Sequence, residues 1–191
     1  MMDSRLTTAL SDVRALLLPY QADVELLPET TANTLSIRWQ GLNESTQLRD
    51  LAILKLVKQA ETIFLNACPE LQHIWHYPQD IPTTEGAWYS VAPILHIPHN
   101  GMYVFEIRIE NKLYSLLLSR LGMKVTCFNN QCSHLEMPLD HGKVSHGTVT
   151  CPFHGYQFCL ETGTCFNAPG KLVPRSVRVG LQGVEVFLSG R

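Results

Sequence analysis

The chain has 191 residues, 45% of them hydrophobic and 17% charged, with a formal net charge of −2. That is enough apolar chain for one large core or two small ones, and the near-neutral balance without Lys/Arg runs argues against nucleic acid or an anionic membrane as partner. Residues Met1–Thr8 lack the apolar stretch and cleavage site of a secretory signal, and the apolar runs are too short to span a bilayer, so a cytoplasmic protein is expected.

Leu6, Ala9, Leu10, Val13, Leu16 and Leu17 recur at three- and four-residue spacing, the pattern of one buried helix face. Asp3 or Ser4 can cap its start and Pro19 stops it. Two strands follow, one on Val24 and Leu26, the next on Leu35, Ile37 and Trp39. A longer helix is expected from about Thr46 to Asn66, with Ile53, Leu56, Val57, Ala60, Ile63 and Phe64 on one side and Pro69 beyond its end. Leu71–Tyr77 reads as a third strand. Residues 1–77 therefore form a small α+β domain, and the Pro- and Thr-rich segment 78–86 reads as a linker.

From residue 87 to 191 the texture changes to short β segments. Tyr103, Phe105, Ile107 and Ile109 alternate, further strands lie near Leu113–Leu118 and Lys124–Phe128, and Val177, Val179, Val184, Val186 and Leu188 flank a hairpin turn at Gly180–Gly183. The fold class expected is two domains, a small α+β unit and then an all-β antiparallel sandwich or barrel.

Six cysteines are present: Cys68, Cys127, Cys132, Cys151, Cys159 and Cys165. Without a secretory context they point to metal binding or buried thiols rather than a disulfide framework. Spacing separates the two. Cys132-Ser133-His134 and Cys151-Pro152-Phe153-His154 stand sixteen residues apart, each supplying one thiolate and one imidazole from a loop bordered by Pro or Gly. Four such ligands would satisfy a tetrahedral zinc, but zinc knuckles usually pair like ligands at C-x₂₋₄-C or H-x₃₋₅-H spacing. Unlike ligands within each loop suit a dinuclear cluster, in which a loop gives its Cys to one iron and its His to the other.

Those motifs, with the following Phe158-Cys159-Leu160-Glu161-Thr162-Gly163 and Pro169, resemble the Rieske [2Fe–2S] family, and the resemblance runs from Trp88 to Leu188. It implies one cluster per chain, held by Cys132 and Cys151 on an inner iron and by His134 and His154 on an outer, solvent-facing one. The departures from the respiratory type are informative. No extra cysteine stands in either loop, Tyr156 replaces a serine, and Phe158 replaces a tyrosine. Fewer donors to the sulfurs lower the potential, so the chain is similar to the low-potential ferredoxins of ring-hydroxylating oxygenases. Two neutral imidazoles keep the oxidised cluster formally neutral, and their titration should lower the potential at alkaline pH.

Residues Leu10–Tyr77 resemble the C-terminal domain of NifU-type scaffolds in their element order and in the ending Cys68-Pro69-Glu70-Leu71. That family's C-x-x-C is absent, since Gly41 is followed by Leu42-Asn43-Glu44-Ser45-Thr46. Cys127, Cys159 and Cys165 read as buried small side chains, with a Cys159–Cys165 pairing left open. His73, His76, His96, His99, His141 and His146 show no competing chelating spacing, and Trp39, Trp75 and Trp88 read as core.

The resulting expectation is a one-electron carrier between a reductase and an acceptor enzyme, favoured over an enzyme with its own substrate. The alternative is an assembly or accessory factor for a larger metalloenzyme such as an oxygenase or hydrogenase. An oxygenase catalytic subunit fails on length, because about twenty residues follow Gly170 where a 2-His-1-carboxylate iron domain is needed. Oligomeric state is not legible.

Overall fold

The computed structural model describes residues 2–28, 30–31, 33–42, 50–78, 82, 84–180 and 183–189. Helix α1 (Met2–Leu17) buries Leu6, Ala9, Val13 and Leu17. It starts at Met2, so Ser4 lies inside its first turn, where Ser4 O accepts from the Thr8 hydroxyl at 3.0 Å; the expected cap by the Asp3 side chain falls outside what the structure describes. Pro19 ends it as expected, within a 3₁₀ turn closed by Gln21 at φ 55°.

Strands β1 (Asp23–Leu26) and β2 (Thr34–Gln40) pair antiparallel. Helix α2 (Asp50–Ala67) buries Ile53, Leu56, Val57, Ala60 and Phe64. The expected start near Thr46 lies outside the described residues. Strand β3 (His73–His76) pairs parallel with β2, a direction that needs a long crossover, and α2 supplies it. The helices pack on the face presenting Val24, Leu35, Ile37 and Ile74.

The β-rich part runs through β4 (Ala87–Ala92), β5 (Tyr103–Ile109), β6 (Lys112–Leu121) and β7 (Lys124–Asn129). Short strands β8 (Lys143–Ser145), β9 (Thr148–Thr150), β10 (Gln157–Cys159) and β11 (Pro174–Arg175) follow, then the hairpin β12 (Val177–Gly180) and β13 (Gly183–Leu188). Three sheets result, with strand orders β1-β2-β3-β12-β13-β4, β11-β7-β6-β5 and β10-β9-β8. The expected α+β unit and all-β unit are both present, and they are joined edge to edge. Val179 of β12 pairs with His76 of β3, so one sheet crosses from the first unit into the second.

Strand periodicity gives the middle sheet a core on each side. Leu116, Leu118, Val125 and Cys127 face the large core shared with both helices. Leu117 and Phe128, register partners, face a smaller core containing Leu139, Val149, Phe158, Leu160 and Leu172. That smaller core is the platform on which the candidate site stands.

The seam between the units is clamped by Arg178. Its guanidinium lies 4.0 Å from the ring centroid of Trp75 on β3 and 4.5 Å from that of Trp88 on β4. Nε and one terminal nitrogen both donate to Glu185 Oε2, at 2.8 and 2.6 Å. Trp75 passes over Gly180, where a Cβ would stand 2.5 Å from the indole ring.

Candidate metal centre

Two loops rise from the smaller core. The first leaves β7 and carries Cys132 and His134; the second joins β9 to β10 and carries Cys151 and His154. They share one backbone device. Cys132 N–H donates to Met137 O (2.8 Å) and Glu136 N–H donates back to Cys132 O (2.9 Å). In the second loop Cys151 N–H donates to Tyr156 O (2.7 Å) and Gly155 N–H donates back to Cys151 O (3.1 Å). Each six-residue loop thus turns on its cysteine, and the fifth residue is left-handed in both: Glu136 at φ 56°, Gly155 at φ 71°. The sequence supplies the conformationally free residue in only one of them.

This geometry sorts the donors by depth. Cys132 and Cys151 are buried to 1% exposure in the smaller core, while His134 and His154 are exposed. The two imidazoles meet edge to face with centroids 5.0 Å apart, and Tyr156 of the second loop packs its ring 4.7 Å from His134 of the first. Burial pushes the Cys132 thiol above the ordinary thiol value. The His134 amide aimed at its sulfur opposes that rise, the adjacent Cys151 thiol adds to it, and the Leu135 amide opposes it again. Amides already directed at the sulfur would stabilise a thiolate bound to metal.

Among the described residues no three His, Cys, Asp or Glu side chains gather as they would around a single ion. The donors stand instead as a buried thiol pair and an exposed imidazole pair. That set fits a two-iron cluster in which each iron takes one pair.

Residues with no sequence signal hold the loops in place. Asn130, 7% exposed, accepts from the Leu139 amide at 2.8 Å and donates to Ser115 Oγ at 3.1 Å, fixing both ends of the first loop to β6. Asn167 donates to Gly155 O at 3.0 Å and accepts from Gln157 N–H at 2.9 Å, tying the second loop to the 166–170 segment. There the expected covering proline, Pro169, precedes Gly170, whose missing Cβ would stand 2.5 Å from Ser133 Oγ. Leu135, Phe153 and Phe166 are large apolar side chains left exposed on these same loops.

The other cysteines are free thiols, so Cys159 and Cys165 do not pair. Burial pushes Cys127 far up. Cys159 is lowered: burial acts to raise it, but the Thr162 hydroxyl and the amides of Thr162 and Glu161 together outweigh that. His141 is 88% exposed, and His146 Nδ1 lies 2.8 Å from Ser145 Oγ, so neither joins the donor set.

A family model for the Rieske [2Fe–2S] domain matches residues 87–178. These residues are a Rieske [2Fe–2S] domain. Such a domain carries one [2Fe–2S] cluster, and the donor set described above is of the kind it uses. The chain is similar to chlorophyllide a oxygenase of Arabidopsis thaliana, 30% identical over 92 residues, which are 48% of this chain and 16% of that protein. It is also similar to the ferredoxin component of biphenyl 2,3-dioxygenase of Rhodococcus jostii (strain RHA1), 27% identical over 82 residues, 43% of this chain and 77% of that one. Among solved structures, the ferredoxin of carbazole 1,9a-dioxygenase from Nocardioides aromaticivorans IC177 is 26% identical, with a TM-score of 0.41 over 55% of this chain and 99% of that one. The chain spans only a small part of the first relative's length. Among the described residues no helix is long and apolar enough to cross a membrane.

Proposed function

We propose that the chain is a one-electron carrier whose Rieske cluster is held by Cys132, His134, Cys151 and His154, passing electrons from a reductase to an acceptor enzyme of the oxygenase type. The observation that carries this reading is the sorting of donors by depth: two thiols side by side in an apolar core and two imidazoles side by side at the surface. When bound, the cluster supplies reversible uptake of a single electron. The chain's residues do the rest. Cys132 and Cys151 would hold the inner iron in the apolar core, with the amides of His134 and Leu135 directed at the Cys132 sulfur. His134 and His154 would hold the outer iron and form the surface a redox partner would meet, with Leu135 and Phe153 exposed on the same two loops. Residues 1–77, fixed through β3 to β12, orient that partner rather than swing on a tether. A cytoplasmic setting agrees with Cys68, Cys127, Cys159 and Cys165 being free thiols.

An EPR-monitored redox titration of anaerobically purified protein tests this. A rhombic signal near the low end of about −150 to +300 mV, with a midpoint that falls at alkaline pH, is expected. Zinc or no metal in place of that signal would remove the carrier reading and leave an accessory factor as the better account. A midpoint flat to about pH 10 would remove the histidine ligands.

A further inference from the structure

Strand β5 ends the middle sheet, and among the described residues no backbone group bonds to its outer side. None of its seven residues is buried, although Tyr103, Val104, Phe105, Ile107 and Ile109 are apolar. Register shows which groups point outward. Ser115 O accepts from the Asn130 amide just past β7, so Ser115 turns its main-chain groups to β7 and Leu116 turns its own to β5. Phe105, the partner of Leu116, therefore faces β6. By alternation Val104, Glu106 and Arg108 aim their amides and carbonyls away from the sheet. Such an edge is a template for a strand of another chain.

The charges on that edge say which strand fits. On β1, at the edge of the six-stranded sheet, Asp23 is held by Arg14 and Glu25 lies 3.7 Å from Arg38. On β5, Glu106 and Arg108 are exposed, and among the described residues neither makes an ion pair or side-chain hydrogen bond. Like charges there would repel a second copy of the strand. Opposite charges two residues apart are self-complementary. Antiparallel pairing about a two-fold axis at Ile107 sets Glu106 against Arg108 of the second copy, and Arg108 against its Glu106. Both residues face outward, so in this register they also exchange main-chain bonds. On the other face Phe105 meets Ile109 and Ile107 meets itself. An axis at Glu106 would oppose two carboxylates, one at Arg108 two guanidiniums, and one at Phe105 would leave Glu106 against Val104, so charge selects one register. Val104 shares its face with its partner Leu117, which packs with Cys132 and Cys151. Glu106 lines one groove with Glu136, Pro138 and Asp140 of the first cluster loop. An axis perpendicular to the sheet keeps that face of both copies on the same side.

We propose that two copies of the chain pair through β5, Glu106 of each against Arg108 of the other, so that one continuous sheet presents both sets of cluster loops on one face. The pairing rests on the sheet edge and stands apart from the carrier reading. The test is sedimentation velocity of the full, cluster-bearing chain at rising concentration. A strand-edge contact is smaller than a standard interface, so a reversible dimer of about micromolar to millimolar affinity, weakened by salt, is expected. Glu106→Arg and Arg108→Glu each place like charges at both contacts and should weaken the dimer at least about tenfold. The double variant Glu106→Arg/Arg108→Glu restores opposite charges and should recover it. An equimolar mixture of the two single variants should associate where neither does alone. Cluster absorbance per chain should match wild type in all three, since both side chains are exposed. Wild-type protein that stays monomeric up to about 1 mM would overturn the proposal and leave the edge to a different partner or to none. A dimer that both single variants leave intact would lie elsewhere on the surface. Loss in the single variants with no recovery in the double variant or the mixture would rule out this register. Either result overturns the proposal as well.

Discussion

Asn130 should be the residue on which the first cluster loop depends, and Asn130→Ala gives the test. Truncation leaves the Leu139 amide without an acceptor beneath a side chain of 0% exposure, at a cost of about 1–3 kcal/mol. It also removes the bond to Ser115 Oγ, about 1 kcal/mol more. A central sum of about 3 kcal/mol corresponds to roughly 150-fold more opening of the loop. If the cluster leaves through that opening, first-order bleaching of its visible absorbance under a chelator should accelerate by the same factor. Ser115→Ala removes only the second bond and should accelerate loss about fivefold. A release rate for Asn130→Ala within twofold of wild type would refute the reasoning, because the loop would then be held by the cluster rather than by its anchor.

The left-handed residues of the two loops predict unequal effects. Gly155→Ala should destabilise its loop by about 1 kcal/mol, whereas Glu136→Gly should change stability by less than about 0.5 kcal/mol, since relief of the left-handed side chain offsets the added chain entropy; bleaching rates check both. Arg178→Lys keeps the charge but loses the flat guanidinium between Trp75 and Trp88 and the two-nitrogen grip on Glu185. It should lower stability by about 1–2 kcal/mol in urea unfolding followed by tryptophan fluorescence, and an unchanged midpoint would make the clamp incidental. Cys159, lowered by Thr162, should alkylate before the buried Cys127. The sign follows from linkage: a depressed thiol adds stability that is complete above its unfolded value and is lost as pH falls through the folded one. Thr162→Ala should therefore move the alkylation midpoint to higher pH, as a pH series with iodoacetamide would show.

The two motifs were legible because each is short and local, and the chain places Cys132 beside Cys151 and His134 beside His154. The helices were legible for a similar reason. Val13 and Leu17, or Ala60 and Phe64, bury one face at helical spacing whatever they pack against. What holds the site was not legible. Asn130 and Asn167 act through a side-chain amide on main-chain groups nine and ten residues away, and no periodicity marks such a contact. His76 carried no chelating spacing, and the reason is its partner: it faces Glu61 on α2, fifteen residues earlier, rather than a metal.

The least legible feature is the joint between the units, and it bears most on function. The pairing of Val179 with His76 closes about a hundred residues of chain, and its cost is spread over contacts that no local window contains. The Pro- and Thr-rich segment 78–86 reads as a linker, with 79–81 and 83 outside the described residues, and a shared sheet and the Arg178 clamp join the two units on either side of it. The β6–β7 sheet extends that rigidity toward the cluster loops. Leu116 and Leu118 pack into the core of the helices, while Leu117 between them packs under Cys132 and Cys151. Packed cores transmit displacement because they hold few voids. A partner bound to α1 or α2 therefore presses on the same sheet that carries the cluster loops.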